Sequence, residues 1–428
     1  MTPRLDTGPD PRLEAPAARG AVRAAPRAGV LVGALVLAAF GLYLASLTPP
    51  IATLAVRTAA LDADGKTVAL STVVLAGAVA TIATLPLFGA LSDRTRGRFG
   101  RRRPWLLGGA LVGLLGLAVA GAAPSVAWVV VGWSTASLGY GAAFAGFLPL
   151  IPEFVPEHLR ARLSGLIGFV VSIAVLVGVV LGSRLVAAPV AMLALPGVVA
   201  LLGVLVLTAV VRRVDGPSGA ERSRFGVREF AGSYWLRTGD HDFAWNWVSR
   251  LLLGLAYVGI QTYAVFHLTD TVGMDVAAAA GRLAQVNAAS APVGIACFVL
   301  TGYLSDRVGR RRSFAAVGAC VVAAALVVAA VAPSSGGFLV AWLVLTVGQA
   351  VYLTVDIAIA AAVVPDAARA GKAMSVYQVA TLLPNVAAPV LAVGVLSVTG
   401  GAYPPYFAVL AVVALCAAAA VLRVRHVH

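Results

Sequence analysis

The chain is short of charge. Of its 428 residues only 12% are Asp, Glu, Lys or Arg, while 60% are apolar and the mean hydropathy is +0.93. A soluble domain of this length needs far more charge to cover its surface, so a water-soluble fold is excluded. Cysteine is scarce as well. Cys297, Cys320 and Cys416 all lie in apolar runs at no ligand-like spacing, which excludes a disulfide framework and a zinc site. The alternating segments of about ten residues that mark an outer-membrane barrel are missing. So is the Gly-rich loop ending in Gly-Lys-Ser/Thr that cradles nucleotide phosphates. No nucleophile–base constellation or metal cluster gathers within the apolar runs, so neither an enzyme nor a cofactor is expected.

What the chain does have is apolar runs long enough to cross a hydrocarbon core of about 30 Å, which takes roughly 20 helical residues. They predict an all-α membrane protein with twelve spans, over 28–48, 68–91, 104–123, 126–151, 163–185, 189–211, 241–267, 277–304, 313–332, 337–363, 373–399 and 402–422. With the N-terminus placed inside, the tails and internal loops hold 27 of the 32 Lys and Arg residues. Arg57, Lys66, Arg184 and Arg282 fall on the other side, and Arg250 lies within a span. Basic residues stay on the cytoplasmic side, so both termini are expected in the cytoplasm, with the chain in a cell membrane. The net charge of +14 is then a topology signal and points to the lipid bilayer, not to nucleic acid. Residues 1–27, rich in Pro, Ala and Arg and without a cleavage site, read as a disordered cytoplasmic tail. Residues 423–428 form a second tail.

One short phrase occurs twice. Gly89-Ala-Leu-Ser-Asp93-Arg94 closes on Arg101-Arg102-Arg103, and Gly302-Tyr-Leu-Ser-Asp306-Arg307 closes on Arg310-Arg311-Arg312. The copies are offset by 213 residues at the glycine, and a four-residue difference inside the loop predicts an offset of 209 beyond it. Pro156-Glu157-His-Leu-Arg160 and Pro365-Asp366-Ala-Ala-Arg369 meet that offset. The spans therefore divide into a six-helix bundle over 28–211 and another over 239–422, joined by a charged cytoplasmic linker over 212–238. Six-helix halves related by an axis along the membrane normal, with the substrate at their interface, are a transporter architecture.

Gly-x-Leu-Ser-Asp-Arg followed by Gly-Arg-Arg-Arg resembles the signature loop between helices 2 and 3 of the major facilitator superfamily, repeated here between helices 8 and 9. The form SDRTRGRFGRRRPW (Ser92 to Trp105) is similar to the loop of the glycoside–pentoside–hexuronide:cation symporters and of sucrose–proton symporters. The segments over 145–169 and 352–375 resemble the same branch. This resemblance implies the major facilitator fold, alternating access without ATP, and proton-coupled uptake of a sugar or related metabolite. In melibiose-type members, carboxylates in N-terminal helices hold the coupling cation. Helices 1, 2 and 4 here carry none at membrane depth, since Glu153 lies at the cytoplasmic end of helix 4, so the resemblance brings no sodium site with it.

The resemblance also implies that the repeated loops act as a conformational latch, through Gly89, Asp93, Arg94, Gly302, Asp306 and Arg307. Small residues let helices approach closely, and a carboxylate at the surface can hold a helix N-terminus or an arginine. The bland reading, that the arginines only anchor topology, suits Arg96, Arg98 and Arg102. Asp356 and Arg250 are the two charges well inside spans. By helical rise they lie roughly 13 Å and 12 Å from the cytoplasmic ends of helices 10 and 7. The resemblance implies that helices 7 and 10 lie together beside the central cavity, and a charge facing lipid is costly, so both should face the cavity and each other. They form either a structural ion pair or a proton-coupling site, with Arg250 tuning Asp356 or binding an anionic substrate group. Tyr43, Tyr140, Asn246, Tyr257, Gln261, Gln349, Tyr352, Tyr377, Gln378 and Asn385 line a possible path for a small-molecule substrate. Each is equally well an interhelical hydrogen bond. Efflux of a drug or secondary metabolite and a transporter-like receptor are the competing readings. No feature predicts an oligomer, so a monomer is expected.

Overall fold

In lipid every backbone N–H and C=O must find a partner within the chain, and a helix supplies all of them locally. The structure, a computed structural model, describes residues 28–95, 100–155, 157–211, 241–363, 376–377 and 379–425. These residues are almost wholly helical. The elements are α1 (Ala28–Thr48), α2 (Leu54–Leu61), α3 (Lys66–Arg94), α4 (Arg103–Ala122), α5 (Val126–Phe147), α6 (Leu150–Phe154), α7 (Glu157–Arg184) and α8 (Pro189–Val211). After residue 240 come α9 (His241–Asp270), α10 (Val276–Val308), α11 (Arg311–Val331), α12 (Ser335–Ala362), α13 (Pro384–Val398) and α14 (Tyr403–Leu422). Among the described residues ten helices are long and apolar enough to cross a membrane, and a shorter apolar stretch, Lys66–Ile82, begins α3. The expected tail over 1–27, the linker over 212–238, Gln378 and the Pro365–Arg369 motif lie outside the described residues.

The first helix corrects the sequence reading. Its span was expected over 28–48, and the next two residues are Pro49 and Pro50, which lack the N–H that continues a helix. Instead the chain passes through a π-helical turn, Pro49–Thr53, and runs on as α2 to Leu61. The N–H of Leu54 bonds Pro49 O, five residues back, and this wider turn absorbs the prolines without breaking the helix.

Packing follows two parallel lists. In the first, α1 packs on α7 and α8, α3 on α5, and α4 on α5 and α8. In the second, α9 packs on α13 and α14, α10 on α12, and α11 on α12 and α14. Between the lists, α7 meets α10, α3 meets α13, and the π-turn with α2 meets α9.

Glycines set the closest approaches. A Cβ on Gly139 of α5 would stand 2.3 Å from Gly113 N and 2.7 Å from Gly109 O of α4. A Cβ on Gly348 of α12 would stand 2.7 Å from Val322 N and 2.8 Å from Gly318 O of α11. Gly318 and Gly348 follow Gly109 and Gly139 by the same 209 residues. Backbones meet here because small residues let them, and dispersion then holds the helices together where lipid offers no hydrophobic drive.

The arginine triplets do structural work as well. Arg103 donates from Nη2 to Val211 O (3.2 Å), and Arg312 from Nη1 to Val424 O (3.1 Å). The first is the carbonyl of the last residue of α8, where a helix leaves such groups unbonded, and the second lies two residues past the end of α14. Arg102 is not a mere topology anchor. It is buried, and bonds Ser92 Oγ at 3.0 Å and Glu153 Oε1 at 2.7 Å, while Arg101 reaches the same carboxylate. Basic residues at the other end of the bundle are also engaged. Arg57 bonds Ala123 O past the end of α4, and Arg282 bonds Ser335 O at the start of α12.

Candidate functional site

The two intramembrane charges meet. Arg250, on α9, donates from Nη1 to Asp356 Oδ2 of α12 at 2.5 Å. Helix α9 enters with its polar start, His241 and Asp242, where Asp242 accepts from the backbone N–H of Arg425 at 2.9 Å. Two turns further along, Ser249 bonds both Tyr352 Oη (2.9 Å) and Ala417 O (2.9 Å), fastening α9 to α12 and α14. These bonds fix the azimuth of α9, so that Arg250, the next residue, turns toward α12. Its Nε also approaches Thr381 Oγ1 at 3.4 Å, and its guanidinium lies 5.8 Å from the centre of the Tyr377 ring. Asp356 is fully buried and Arg250 is partly exposed.

The remaining sequence candidates separate into groups. Tyr352 and Tyr377 are buried around Asp356. Asn246, one turn below Arg250 on α9, is buried and its amide makes no hydrogen bond among the described residues. Gln261 bonds Tyr257 within α9, and Gln349 of α12 lies close to that tyrosine. Tyr43 packs on Phe144 with ring centres 5.0 Å apart and the rings tilted, joining α1 to α5. Asn385 bonds back to Leu382 O at 3.2 Å. Tyr140 takes the interhelical alternative. It is packed inside the first group of helices, with its ring against Gly113 of α4 and its hydroxyl against Gly197 of α8. Helical spacing gives a residue's depth but not which side of α5 it takes.

At Gly302 one expected reason for a glycine is not met. It was expected to permit a close approach, yet a Cβ there would meet only Thr354 Cγ2, at an ordinary 3.8 Å. Arg307 is exposed and reaches Tyr303 Oη, one turn back, at 3.4 Å. The surroundings of Gly89 and the side chains of Asp93, Arg94 and Asp306 lie outside the description, as do Arg96 and Arg98.

Sequence reasoning missed a cluster at the end of the bundle away from the arginine triplets. Lys66, at the start of α3, pairs with Asp270, at the end of α9, and lies over the Phe266 ring. Thr67 Oγ1 and Tyr403 Oη are 2.9 Å apart, and Ser71 Oγ and Tyr263 Oη 2.5 Å. Beneath them His267 is fully buried among Phe338, Tyr403 and Phe407. All three polar contacts join residues before 212 to residues after 240. The signal was present: Lys66 is one of the few basic residues on the far side, and a carboxylate ends the first span after the linker.

A profile of the Major Facilitator Superfamily matches residues 31–299 and again 286–428. Among curated proteins, the "MFS-type efflux pump elcC" of Phaeosphaeria nodorum (strain SN15) is 37% identical over 68 residues, 16% of this chain. The match spans only 12% of that relative's length. Among solved structures, a POT family transporter in complex with 5-aminolevulinic acid superposes with a TM-score of 0.71 at 13% identity, covering 92% of this chain and 95% of that one. A bacterial homolog of the human lysosomal transporter Spinster, in an inward-facing and occupied conformation, gives 0.63 at 15% identity, over 92% and 94%. At these identities the structures speak for the fold.

Proposed function

The chain belongs to the Major Facilitator Superfamily, and we propose that it is a twelve-helix secondary transporter carrying a small polar solute, a sugar or related metabolite, by proton-coupled alternating access. Helices α1–α8 and α9–α14 form the two pseudo-symmetric bundles, and the described packing pairs of one bundle recur in the other. Both termini and the arginine triplets lie in the cytoplasm. The contacts of Lys66, Thr67 and Ser71 with α9 and α14 close the outer side.

The observation that carries proton coupling is the Arg250–Asp356 pair at membrane depth. An intramembrane carboxylate marks a functional site by default. A neighbouring guanidinium and withdrawal from water pull a carboxylate's proton affinity in opposite directions. A site alternating between those surroundings loads and releases a proton during the cycle. The test is internal pH in proteoliposomes challenged with a panel of sugars, with Asp356→Asn beside the wild type. Acidification with one sugar, lost in the variant, supports the reading. Sugar movement with no pH change in either protein refutes the coupling.

Efflux of a drug or secondary metabolite is the second reading, favoured by the local match to a fungal efflux pump. Resistance conferred on a sensitive host, without sugar uptake, would select it. A receptor without net transport would bind a solute and never exchange it across a liposome.

A further inference from the structure

The Arg250–Asp356 pair is layered. Asp356 is 0% exposed and the Arg250 side chain 17%, so whatever reaches the pair meets Arg250 first. A guanidinium is costly in lipid, which turns Arg250 toward the space between the bundles. The guanidinium has five N–H groups in a rigid fork. Nη1 is used by Asp356 and Nε by Thr381, and Nη2 makes no hydrogen bond among the described residues. The Tyr377 ring holds the plane from one side.

The other bundle shows that the fold does not need this pair. By the 209-residue offset Asp356 corresponds to Phe147, which is fully buried in α5 and packs on Phe144. A hydrophobic side chain fills the equivalent place, and exchanging a buried ion pair for apolar residues is often neutral or stabilising. The charges therefore serve something other than packing.

We infer that Arg250 docks an anionic group of the transported solute, a carboxylate or a phosphate ester, and that Asp356 is the internal competitor for the same guanidinium. This rests on the transporter reading above and narrows its substrate class. With Asp356 ionised the pair is neutral and the fork is occupied. Protonating Asp356 leaves a guanidinium with an uncompensated charge in a poorly solvated site, and an incoming anion restores neutrality. Proton and anion then favour each other's binding, as linkage requires. The charges balance: one proton on the carboxylate and one negative group on the solute cross together with no net charge moved. The charged and titratable groups facing Asp356 are Arg250 from α9, Tyr377 from the segment before α13, and Tyr352 on its own helix. Arg250 is the only one of these that carries a fixed charge.

The experiment is ligand-induced thermal stabilisation of the purified full chain in detergent, using acid and neutral partners. Lactate is set against lactamide, gluconate against glucose, and glycerol 3-phosphate against glycerol. The proposal expects acids, and not their neutral partners, to stabilise, more strongly at mildly acidic than at mildly alkaline pH. The carboxylate and phosphate arms tell which anion is read. Arg250→Gln should weaken that response at least about tenfold, a step of 1.4 kcal/mol. Asp356→Asn should keep it and lose its pH dependence. Should Asp356→Asn not fold, flux in wild-type proteoliposomes replaces it: acid and protons must enter together, indifferent to an imposed membrane potential. Neutral partners stabilising as well as acids, no acid stabilising, or a full response in Arg250→Gln each overturn the proposal. Proton-coupled flux of a neutral sugar would leave the transporter reading standing and sink the anion site. Arg250-dependent acid binding without flux would do the reverse.

Discussion

Gly139→Ala is the sharpest test of how the bundle is held together. The added methyl would stand 2.3 Å from Gly113 N, 2.7 Å from Gly109 O and 2.8 Å from Gly113 Cα, all backbone atoms with no flexible tip to swing aside. Carbon contacts are comfortable near 3.5–4.0 Å, so α4 and α5 must part by about 1 Å along the crossing. Overpacking of this kind costs about 1–3 kcal/mol. The control is one residue from that contact. Gly108 of α4 is exposed, and a Cβ there meets nothing within 4 Å. Gly108→Ala should therefore be neutral, or gain up to about 1 kcal/mol from helix propensity. Unfolding of the purified protein in mixed detergent micelles measures both. Gly348→Ala should lose less than Gly139→Ala, because one of its three near neighbours is the side-chain Cγ2 of Val322. Equal losses at Gly108 and Gly139 would refute the argument, since propensity and lipid contact would then outweigh the backbone contact. A bundle loosened at this crossing would also rock less as a unit, so transport should fall with stability in Gly139→Ala alone.

Three further outcomes are expected. Neutralising Lys66 or Asp270, whose side chains are 19% and 33% exposed, removes a pair worth about 0.5–1 kcal/mol and shifts the state population about two- to fivefold toward outer opening. Maleimide labelling of a cysteine placed at Ser71 should rise, and the exchanged pair Lys66→Asp with Asp270→Lys should restore it; labelling unchanged by either single variant would remove Lys66–Asp270 as a gate. Arg312→Ala should release the end of α14, at a cost of roughly 1.5 kcal/mol for a charge-assisted bond, and faster hydrogen exchange around Val424 is the readout. Asp93→Asn should impair transport with surface expression intact; normal uptake at matched expression would sink the latch.

The candidate site was partly legible because membrane depth is a one-dimensional property. Counting residues from the ends of helices 7 and 10 placed Arg250 and Asp356 level, the family resemblance implied that those helices are neighbours, and the cost of leaving either charge in lipid turned both inward, where they bond each other. Azimuth is a different matter. Tyr140 was placed at a plausible depth and turned out to face α4 and α8. Arg102, counted among topology anchors, is buried against Ser92 and Glu153. Its loop position carries no information about a partner some fifty residues away.

Composition and the spacing of apolar runs were enough to determine a helical membrane protein, because lipid leaves the backbone few other choices. The repeated motif and its change of offset from 213 to 209 predict which helices correspond, and Gly109 with Gly139 and Gly318 with Gly348 keep that offset. Only the tertiary structure decided what meets across helices. It carried the first helix through Pro49 and Pro50, and put Gly109 against Gly139 as Gly318 against Gly348. It set Lys66 on Asp270 and laid Arg250 over a buried Asp356. Each of these joins groups brought to one place by the rotation and tilt of packed helices. Rotation and tilt are set by many weak side-chain contacts at once, and no local run of residues encodes them.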